Sequence, residues 1–336
     1  MVLHCLPRLN LGNWPTPLLY AHHLSSVLNC PIFFKRDDMT GLGAGGNKVR
    51  KLEFQLAEAK RLGATHVITT GAIQSNHAHL TAAAARRVGM QPVLALAGTL
   101  EQDARGNLLL DMLMGAEIHE VAPDPELPPL LTMNRVMDGL ADDIRAKGGV
   151  PYIVPEGGTD VIGSVGYVLA VEELTEQLKG ISEAPIDHPL LVAATGTCGT
   201  HAGLLAGIVH YGVDLRVIGV SISGNTRIKE EKTKQVAVET LRLLGNERNI
   251  PDDLVVIEDK HIGPRYGEMT EEARFAIQLV ARTEGLILDP VYTGKAMAAL
   301  IDMAKRGELQ HYSPIIFCMT GGLPLTFFHG NSLLVE

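Results

Sequence analysis

Short runs of apolar and β-branched residues alternate along the chain with longer amphipathic stretches. Each short run is predicted to be a β-strand, and the runs occupy 32–34, 66–70, 92–96, 117–121, 152–154, 190–195, 215–222, 254–257, 286–288 and 314–319. Strands that alternate with helices are typical of α/β proteins with parallel sheets. We therefore predict an α/β fold with two lobes of mostly parallel sheet flanked by helices.

The amphipathic stretches carry recognisable start and stop signals. Asn47 precedes the stretch KVRKLEFQLAEAKRL and Gly63 follows it, so we expect Asn47 to cap a helix and Gly63 to end it. Ser75 or Asn76 is a natural cap for the helix after strand 66–70. The polar, proline-containing stretches 123–129 and 180–188 predict loops, and the second is a candidate lobe boundary.

Composition and charge narrow the function classes. The chain has 336 residues and a net charge of −9, which allows a buried cleft and argues against partners such as nucleic acid or an anionic membrane. No apolar stretch approaches the roughly 20 residues that span a bilayer. The four cysteines lie far apart without a C-x-x-C pair, which fits a reducing compartment. We expect a cytoplasmic protein that binds small molecules and has no disulfide.

A glycine-rich loop at 41–46 matches the dinucleotide pattern G-x-G-x-x-G formally. That site needs a strand running directly into the glycines and an acidic residue at the end of the next strand. Here the polar segment RDDMT precedes the glycines, and the next strand ends in Thr69 and Thr70. We therefore interpret the glycines as allowing close backbone approach, and not as a nicotinamide site.

Lys48 lies in the first turn of the helix that follows this loop. A helix start has unpaired N–H groups and a positive dipole end, and with Arg50 and Lys51 nearby we expect the neutral amine of Lys48 to be favoured. A neutral amine suits a Schiff base with an aldehyde cofactor. From spacing alone, a solvated lysine on a surface helix is the simpler interpretation.

Two further strand-to-helix turns are candidate anion sites. The turn TGTCGT at 195–200 follows a predicted strand and opens a helix, so its N–H groups and hydroxyls can hold a phosphate, although an ordinary tight turn has the same residues. It lacks the G-K-[ST] ending of nucleotidase loops. The turn before His77 can hold a carboxylate in the same way. His77 and His79 have no third ligand at metal spacing, so we predict no metal site.

Tyr292 and Thr320 follow the last two predicted strands, in DPVYTGK and MTGG. Ligands of open parallel sheets collect at the carboxyl ends of the strands, so we expect both side chains to face the crevice of the phosphate turn. A packed ring and a capping hydroxyl are the simpler interpretations of each residue alone.

Taken together, seven segments resemble one family in order and spacing: KRDD, GGNKVRKLEF, TTGAIQSNHA, TGTCGTHAGL, RYGEMTEEA, LDPVYTGKA and MTGG. The chain resembles the D-cysteine desulfhydrase and 1-aminocyclopropane-1-carboxylate deaminase family of fold type II pyridoxal-phosphate enzymes, similar to the tryptophan synthase β-subunit. The resemblance covers about 15–330. It implies a large cofactor-binding domain at 1–47 plus 161–336, a small substrate-side domain at 48–160, and a homodimer.

The resemblance also implies roles for individual residues. Lys48 would be the Schiff-base lysine, and the phosphate would bind Thr197, Cys198, Gly199 and Thr200. Asn76 would bond the 3′-oxygen of the cofactor and Thr320 its pyridine nitrogen. The substrate carboxylate would bind Ser75 with the Asn76 and His77 amides, and Tyr292 and Tyr266 would face the reacting carbons.

Differences within the family favour the desulfhydrase branch. Ring-opening deaminases typically have Glu at the position of Thr293 and Leu at that of Thr320. We therefore expect D-cysteine to be converted to pyruvate, sulfide and ammonia, with Lys48 as the base and Tyr292 protonating the sulfur. L-cysteate sulfo-lyase and 1-aminocyclopropane-1-carboxylate deaminase are alternatives, and a non-catalytic amino-acid or cofactor sensor is a different class. Met319 replaces the usual histidine before T-G-G and is expected to reshape the pocket.

Overall fold

The computed structural model describes residues 3–100 and 103–334. The strands are β1 Leu18–Tyr20, β2 Ile32–Lys35, β3 His66–Ala72, β4 Gln91–Ala97, β5 Glu117–Val121, β6 Pro151–Ile153, β7 Leu190–Thr195, β8 Arg216–Ser221, β9 Val256–Glu258 and β10 Ile315–Cys318. The helices are α1 His22–Leu28, α2 Lys48–Arg61, α3 Asn76–Arg87, α4 Gly106–Leu113, α5 Pro129–Ala146, α6 Val161–Leu178, α7 Gly199–Tyr211, α8 Thr226–Leu243, α9 Glu271–Glu284, α10 Thr293–Lys305 and α11 Leu323–His329.

The strands form two sheets. The large sheet has the order β1-β2-β10-β7-β8-β9 and the small sheet has the order β5-β4-β3-β6. Every pairing is parallel except that of β1 with β2. The predicted α/β class with two lobes of mostly parallel sheet is confirmed. The large-sheet strands lie within 18–35 and 190–318 and the small-sheet strands within 66–153, while the domain bounds themselves stay a proposal.

The predicted strands are found except for 286–288. That segment is irregular, although Leu288 is buried in the core beside the large sheet. Ile287 is exposed and Leu286 only partly buried, so this short apolar run indicates neither a strand nor a fully buried segment. Strand β9 begins at Val256, because Asp252–Leu254 forms a 3-10 turn. Strand β1 was not predicted: it has three residues, lies at the sheet edge and pairs antiparallel with β2.

Alternation along the strands builds a core on each face of the large sheet. On one face of the sheet, Val192 and Phe317 pack with α1, α9 and α10. Their neighbours Leu191 and Ile316 point to the other face and pack with α6, α7 and α8. The small sheet is covered in the same way, by α5 on one face and by α2, α3 and α4 on the other. Strands buried on both faces explain the nearly continuous apolar runs in the sequence.

Helix α6 brings the two ends of the site together, because α2 and α7 both pack against it at glycines. A Cβ added at Gly166 would lie 2.1 Å from the carbonyl oxygen of Arg50 in α2. A Cβ added at Gly203 in α7 would lie 2.4 Å from the carbonyl oxygen of Ser164. A larger side chain at either position would push apart the helices that begin with Lys48 and Gly199. Within the described ranges, no helix is long and apolar enough to cross a membrane.

Candidate active site

A cavity of about 690 Å³ opens at the carboxyl ends of β3, β7, β8 and β10. Its volume is in the range of small-molecule and cofactor sites, and its position is where open parallel sheets bind ligands. The cavity wall includes every residue to which the sequence assigned a role: Lys48, Ser75, Asn76, His77, Thr197, Cys198, Gly199, Thr200, Tyr266, Tyr292 and Thr320. The structure thus brings together residues that are up to 272 positions apart in the sequence, from 48 to 320.

The turn between β7 and α7 forms one end of the cavity. Cys198 has a left-handed backbone with φ 78°, which is uncommon for a residue other than glycine. This conformation directs the chain sharply into α7, whose first N–H groups have no partner within the helix. Thr197 Oγ1 lies 2.6 Å from the hydroxyl of Thr159, and Thr200 Oγ1 accepts a 3.0 Å hydrogen bond from Asn47 Nδ2. The predicted strand, turn and helix are all present.

Lys51 lies directly beneath this turn, and the sequence analysis did not assign it to the site. The side chain has no solvent exposure, and Nζ donates to the carbonyl oxygen of Gly157 at 3.1 Å. A Cβ added at Gly199 would lie 2.7 Å from Nζ. Burial lowers the pKa of Lys51 well below its usual range, and the charge of Lys48 lowers it further. An anion bound at the turn would stabilise the protonated form of this lysine.

Lys48 is the first residue of α2 and faces the cavity. Burial lowers the pKa of its amine to about 8, while the carboxylate of Glu156 opposes this shift. From the sequence we expected Lys48 to be neutral, partly because of the charges of Arg50 and Lys51. The main cause of the lowered pKa is burial. The guanidinium of Arg50 is bonded to Asp37 and Glu173. A substantial fraction of neutral amine near pH 8 is what nucleophilic addition to an aldehyde requires.

A buried ion network fixes the start of α2. Arg50 donates to both carboxylate oxygens of Asp37 at 2.9 and 2.8 Å and also contacts Glu173. Asp37 in turn accepts from the hydroxyl of Tyr167 at 2.7 Å. The side chain of Asn47 does not cap α2 as predicted, because it bonds Thr200 instead. Removal of one member of such a network would leave an uncompensated buried charge, which is strongly destabilising.

The opposite wall of the cavity is the start of α3. Ser75 is the helix cap, as predicted, and its Oγ accepts a 3.2 Å hydrogen bond from the N–H of Ala78. His77 Nε2 lies 2.7 Å from the hydroxyl of Thr69. Burial lowers the pKa of His77 well below its usual range, and the charge of Lys48 lowers it further. The N-terminus of α3 makes this wall suited to an incoming carboxylate.

Tyr266 and Tyr292 share a hydrogen bond between their hydroxyls at the cavity wall. Burial raises the pKa of Tyr292 well above its usual range, so its hydroxyl keeps its proton at neutral pH. The segment before Tyr292 is not the end of a strand, contrary to the prediction. The carboxylate of Asp289 instead holds it by accepting from the N–H groups of Val291, Tyr292 and Thr293 at 2.8 to 2.9 Å.

The two residues that separate the branches of the family, and Met319, which departs from the family pattern, differ in their relation to the cavity. Thr320 lines it. Thr293 is buried, and its hydroxyl donates to Asp289 at 2.7 Å. Met319 packs in the core beside the large sheet and is not among the cavity-lining residues. Any effect of Met319 on the pocket would therefore be indirect.

The chain matches the family described as "Pyridoxal-phosphate dependent enzyme" over residues 9–321. The chain belongs to the pyridoxal-phosphate-dependent enzymes. It is 40% identical over 335 residues, 99% of this chain and 97% of the relative, to a protein of Pyrococcus abyssi named "Putative 1-aminocyclopropane-1-carboxylate deaminase". A Pyrococcus horikoshii protein of the same name is 38% identical over 98% of this chain and 95% of its own.

A solved structure titled "Crystal Structure Analysis of the ACC deaminase homologue" superposes with a TM-score of 0.89 at 38% identity, covering 99% of this chain and 97% of that one. These findings confirm the predicted family, the fold type II architecture and the pyridoxal-phosphate cofactor. The names of these relatives correspond to the deaminase alternative, and none of them names D-cysteine.

The residues present fit pyridoxal phosphate. The turn at 196–200 and the buried Lys51 form a cradle in which a side chain at Gly199 would collide with the lysine amine. The amine of Lys48 faces the same cavity with its pKa lowered to about 8. We therefore assign the turn and Lys51 to the phosphate and Lys48 to the aldehyde carbon as proposals. Among the described residues, no group of three or more His, Cys, Asp or Glu is arranged to hold a metal ion.

Glu156, Lys229 and Lys232 also line the cavity and were not found from the sequence. Lys229 donates to the carbonyl oxygen of Thr195 at 3.0 Å and to the hydroxyl of Ser221 at 3.0 Å, and burial lowers its pKa to about 8. Burial raises the pKa of Glu156, opposed by Lys232 and Lys48. The only available signal was the placement of Lys229 and Lys232 three residues apart on α8, which also fits a solvated face.

Proposed function

We propose that this enzyme eliminates the β-substituent of a small amino acid, with D-cysteine as its substrate. The supporting observation is the sharing of one cavity by a lysine amine of lowered pKa and a tyrosine hydroxyl of raised pKa. An elimination needs a base for the Cα proton and an acid for the leaving group. Lys48 and Tyr292 supply this pair.

Bound pyridoxal phosphate supplies a conjugated ring that accepts electrons from the Cα–H bond. Ser75 and the first N–H groups of α3 hold the substrate carboxylate, and thereby orient the Cα–H bond toward Lys48. Lys48 removes that proton, and Tyr292 donates one to the departing sulfur. With one water, D-cysteine gives pyruvate, hydrogen sulfide and ammonia.

The preference for elimination over ring opening rests on Thr320. Thr320 would face the pyridine nitrogen of the bound cofactor, and its hydroxyl, unlike a carboxylate, would not hold a proton there, which would favour prompt departure of the β-group. Thr293 presents no carboxylate, and its hydroxyl is bonded to Asp289. Both features favour a substrate that has a Cα proton and a good leaving group.

A ring-opening deaminase is the second candidate, and the names of the Pyrococcus relatives favour it. 1-Aminocyclopropane-1-carboxylate has no Cα proton and would give 2-oxobutanoate and ammonia. L-Cysteate is the third candidate.

The deciding experiment assays D-cysteine, L-cysteine, L-cysteate and 1-aminocyclopropane-1-carboxylate side by side, with detection of 2-oxo acid, sulfide and sulfite. We expect the largest kcat/KM for D-cysteine, with equal amounts of pyruvate and sulfide. Faster release of 2-oxobutanoate from the cyclopropane would establish the second candidate. Tight binding of an amino acid without any product would indicate a sensor.

We also propose a homodimer in the cytoplasm. Helices α4 and α11 pack together and expose Leu109, Met112 and Leu113 on one helix and Leu323 and Phe327 on the other. Several exposed apolar side chains on two packed helices are the kind of feature that an interaction face would have. Sedimentation equilibrium tests the dimer, and Leu113→Asp combined with Phe327→Asp tests whether this face forms it.

A further inference from the structure

The side chain of Asn76 is held from behind by a second asparagine, Asn107. Asn107 lies at the start of α4 and has no solvent exposure. Its Nδ2 donates to Asn76 Oδ1 at 2.8 Å. The Nδ2 of Asn76 makes no hydrogen bond in the part of the chain that the structure describes, and the residue lines the cavity.

The orientation of both amides follows from one backbone atom. Asn107 Nδ2 also donates to the carbonyl oxygen of Gln74 at 2.8 Å. A backbone carbonyl only accepts, so the atom of Asn107 that faces it must be the nitrogen. The same nitrogen faces Asn76, so the atom of Asn76 that meets it must be the oxygen. The NH₂ group of Asn76 is thereby left for the cavity.

The opposite orientation of Asn107 is unfavourable. It would place Oδ1 against the carbonyl oxygen of Gln74 and forfeit a buried hydrogen bond. Asn107 Oδ1 has no hydrogen-bond partner in the described structure, so the observed orientation already leaves one acceptor unsatisfied. The two hydrogen bonds donated by Asn107 Nδ2 outweigh this one unsatisfied acceptor. The backbone N–H of Asn107 adds a third link by donating to Gln74 Oε1 at 2.8 Å.

We propose that Asn107 is a positioning residue that keeps the NH₂ of Asn76 turned toward the 3′-oxygen of pyridoxal phosphate. The proposal rests on the proposed role of Asn76. A donor at this oxygen favours its ionised form, which absorbs visible light, whereas an acceptor favours the neutral phenol. Asn107 thus selects between two states of the cofactor without touching it.

The test replaces Asn107 with an isosteric acceptor, Asn107→Asp, and titrates the purified apoprotein with pyridoxal phosphate at alkaline pH. The introduced carboxylate would turn the amide of Asn76, so that its carbonyl faces the 3′-oxygen. We expect cofactor affinity to fall about tenfold or more, since a hydrogen bond to a charged group is worth about 1.5–3 kcal/mol. We also expect the visible band to lose intensity to a near-ultraviolet band. At acid pH the carboxyl is protonated and can donate, which should partly restore both.

Gln74→Ala is the matched control. It removes the side-chain links between the 73–75 loop and α4 but keeps the backbone carbonyl that orients Asn107. We expect its spectrum and cofactor affinity to match the wild type. Asn107→Ala removes the donor without adding an acceptor, and it replaces the aspartate variant if that variant does not fold. We expect it to show an intermediate loss of cofactor affinity and of the visible band. Thermal unfolding of each apoprotein monitors folding.

Wild-type spectrum and affinity in folded Asn107→Asp would overturn the proposal, as would an equal loss in Gln74→Ala. Absence of any visible band in the wild type with pyridoxal phosphate is a different failure. That result would refute the proposed function of the cavity and would say nothing about the role of Asn107.

Discussion

The two ends of the cavity are built in different ways. The end at the 196–200 turn consists of backbone between a fully buried strand and a buried helix, with the unexposed Lys51 beneath it. The other end combines the start of α3 with side chains from separate segments, and one of them, Tyr266, is 46% exposed. A rigid, buried end suits a part of the ligand that is common to a whole family. A more open end made of side chains suits the part that differs between substrates.

Replacement of Lys48 is the largest change that this comparison predicts. Lys48→Ala removes both the covalent anchor and the base, so we expect kcat to fall by at least about 10³-fold. The phosphate end is untouched, so pyridoxal phosphate should still bind, although without the visible band. Measurement of turnover and equilibrium dialysis on the same sample separates the two ends. Complete loss of cofactor binding would show that the ends are not independent.

The next largest effect is expected at the substrate end. Tyr292→Phe removes the proposed acid, and general acid catalysis is typically worth about 10²–10⁴-fold, so we expect at least a hundredfold lower kcat with little change in KM. Tyr152→Phe is the matched control, because Tyr152 packs beside α2 and is not among the cavity-lining residues. Wild-type turnover in Tyr292→Phe would refute the assigned role.

A smaller effect is expected at the phosphate end, and it should appear in cofactor affinity. Lys51→Met removes a charge-assisted hydrogen bond, so we expect pyridoxal phosphate to bind about 10–100-fold more weakly. Lys295→Met is a close control: Lys295 is also fully buried and donates to a backbone carbonyl, that of Ile262, at 2.6 Å. Equal losses of cofactor affinity in the two variants would indicate that Lys51 has a structural role and does not bind the phosphate.

The smallest predicted effect is on pH dependence. The amine of Lys48 reacts when neutral, so the rate at which the apoprotein takes up pyridoxal phosphate should rise as pH increases through about 8. Glu156 holds the pKa of Lys48 up, so Glu156→Gln should move the midpoint to lower pH. Glu58→Gln, on the same helix but outside the cavity lining, should leave it in place. A midpoint shifted to higher pH would contradict the assigned electrostatics.

The difference between the two ends of the cavity explains which of its residues could be predicted from the sequence. The turn at 196–200 is local, and its strand, glycines and helix follow one another in the chain, so the sequence predicted it together with the cofactor. Residues such as Glu156 and Asn107 reach the site only through the tertiary fold. Lys51 was missed because a lysine three residues after Lys48 on an amphipathic helix is usually solvated, whereas here α6 and α7 bury it. The segment 286–288 was misassigned because three apolar residues do not distinguish a strand from an irregular segment, and here only Leu288 is fully buried.

The most direct test of the account is to identify the lysine that binds the cofactor. The holoenzyme is reduced with borohydride, digested, and mapped by mass spectrometry for the pyridoxyl group. We expect the visible band to be lost and a single modified peptide to carry the group at Lys48. Modification at Lys51 or Lys229 instead, or no modified peptide, would contradict this expectation.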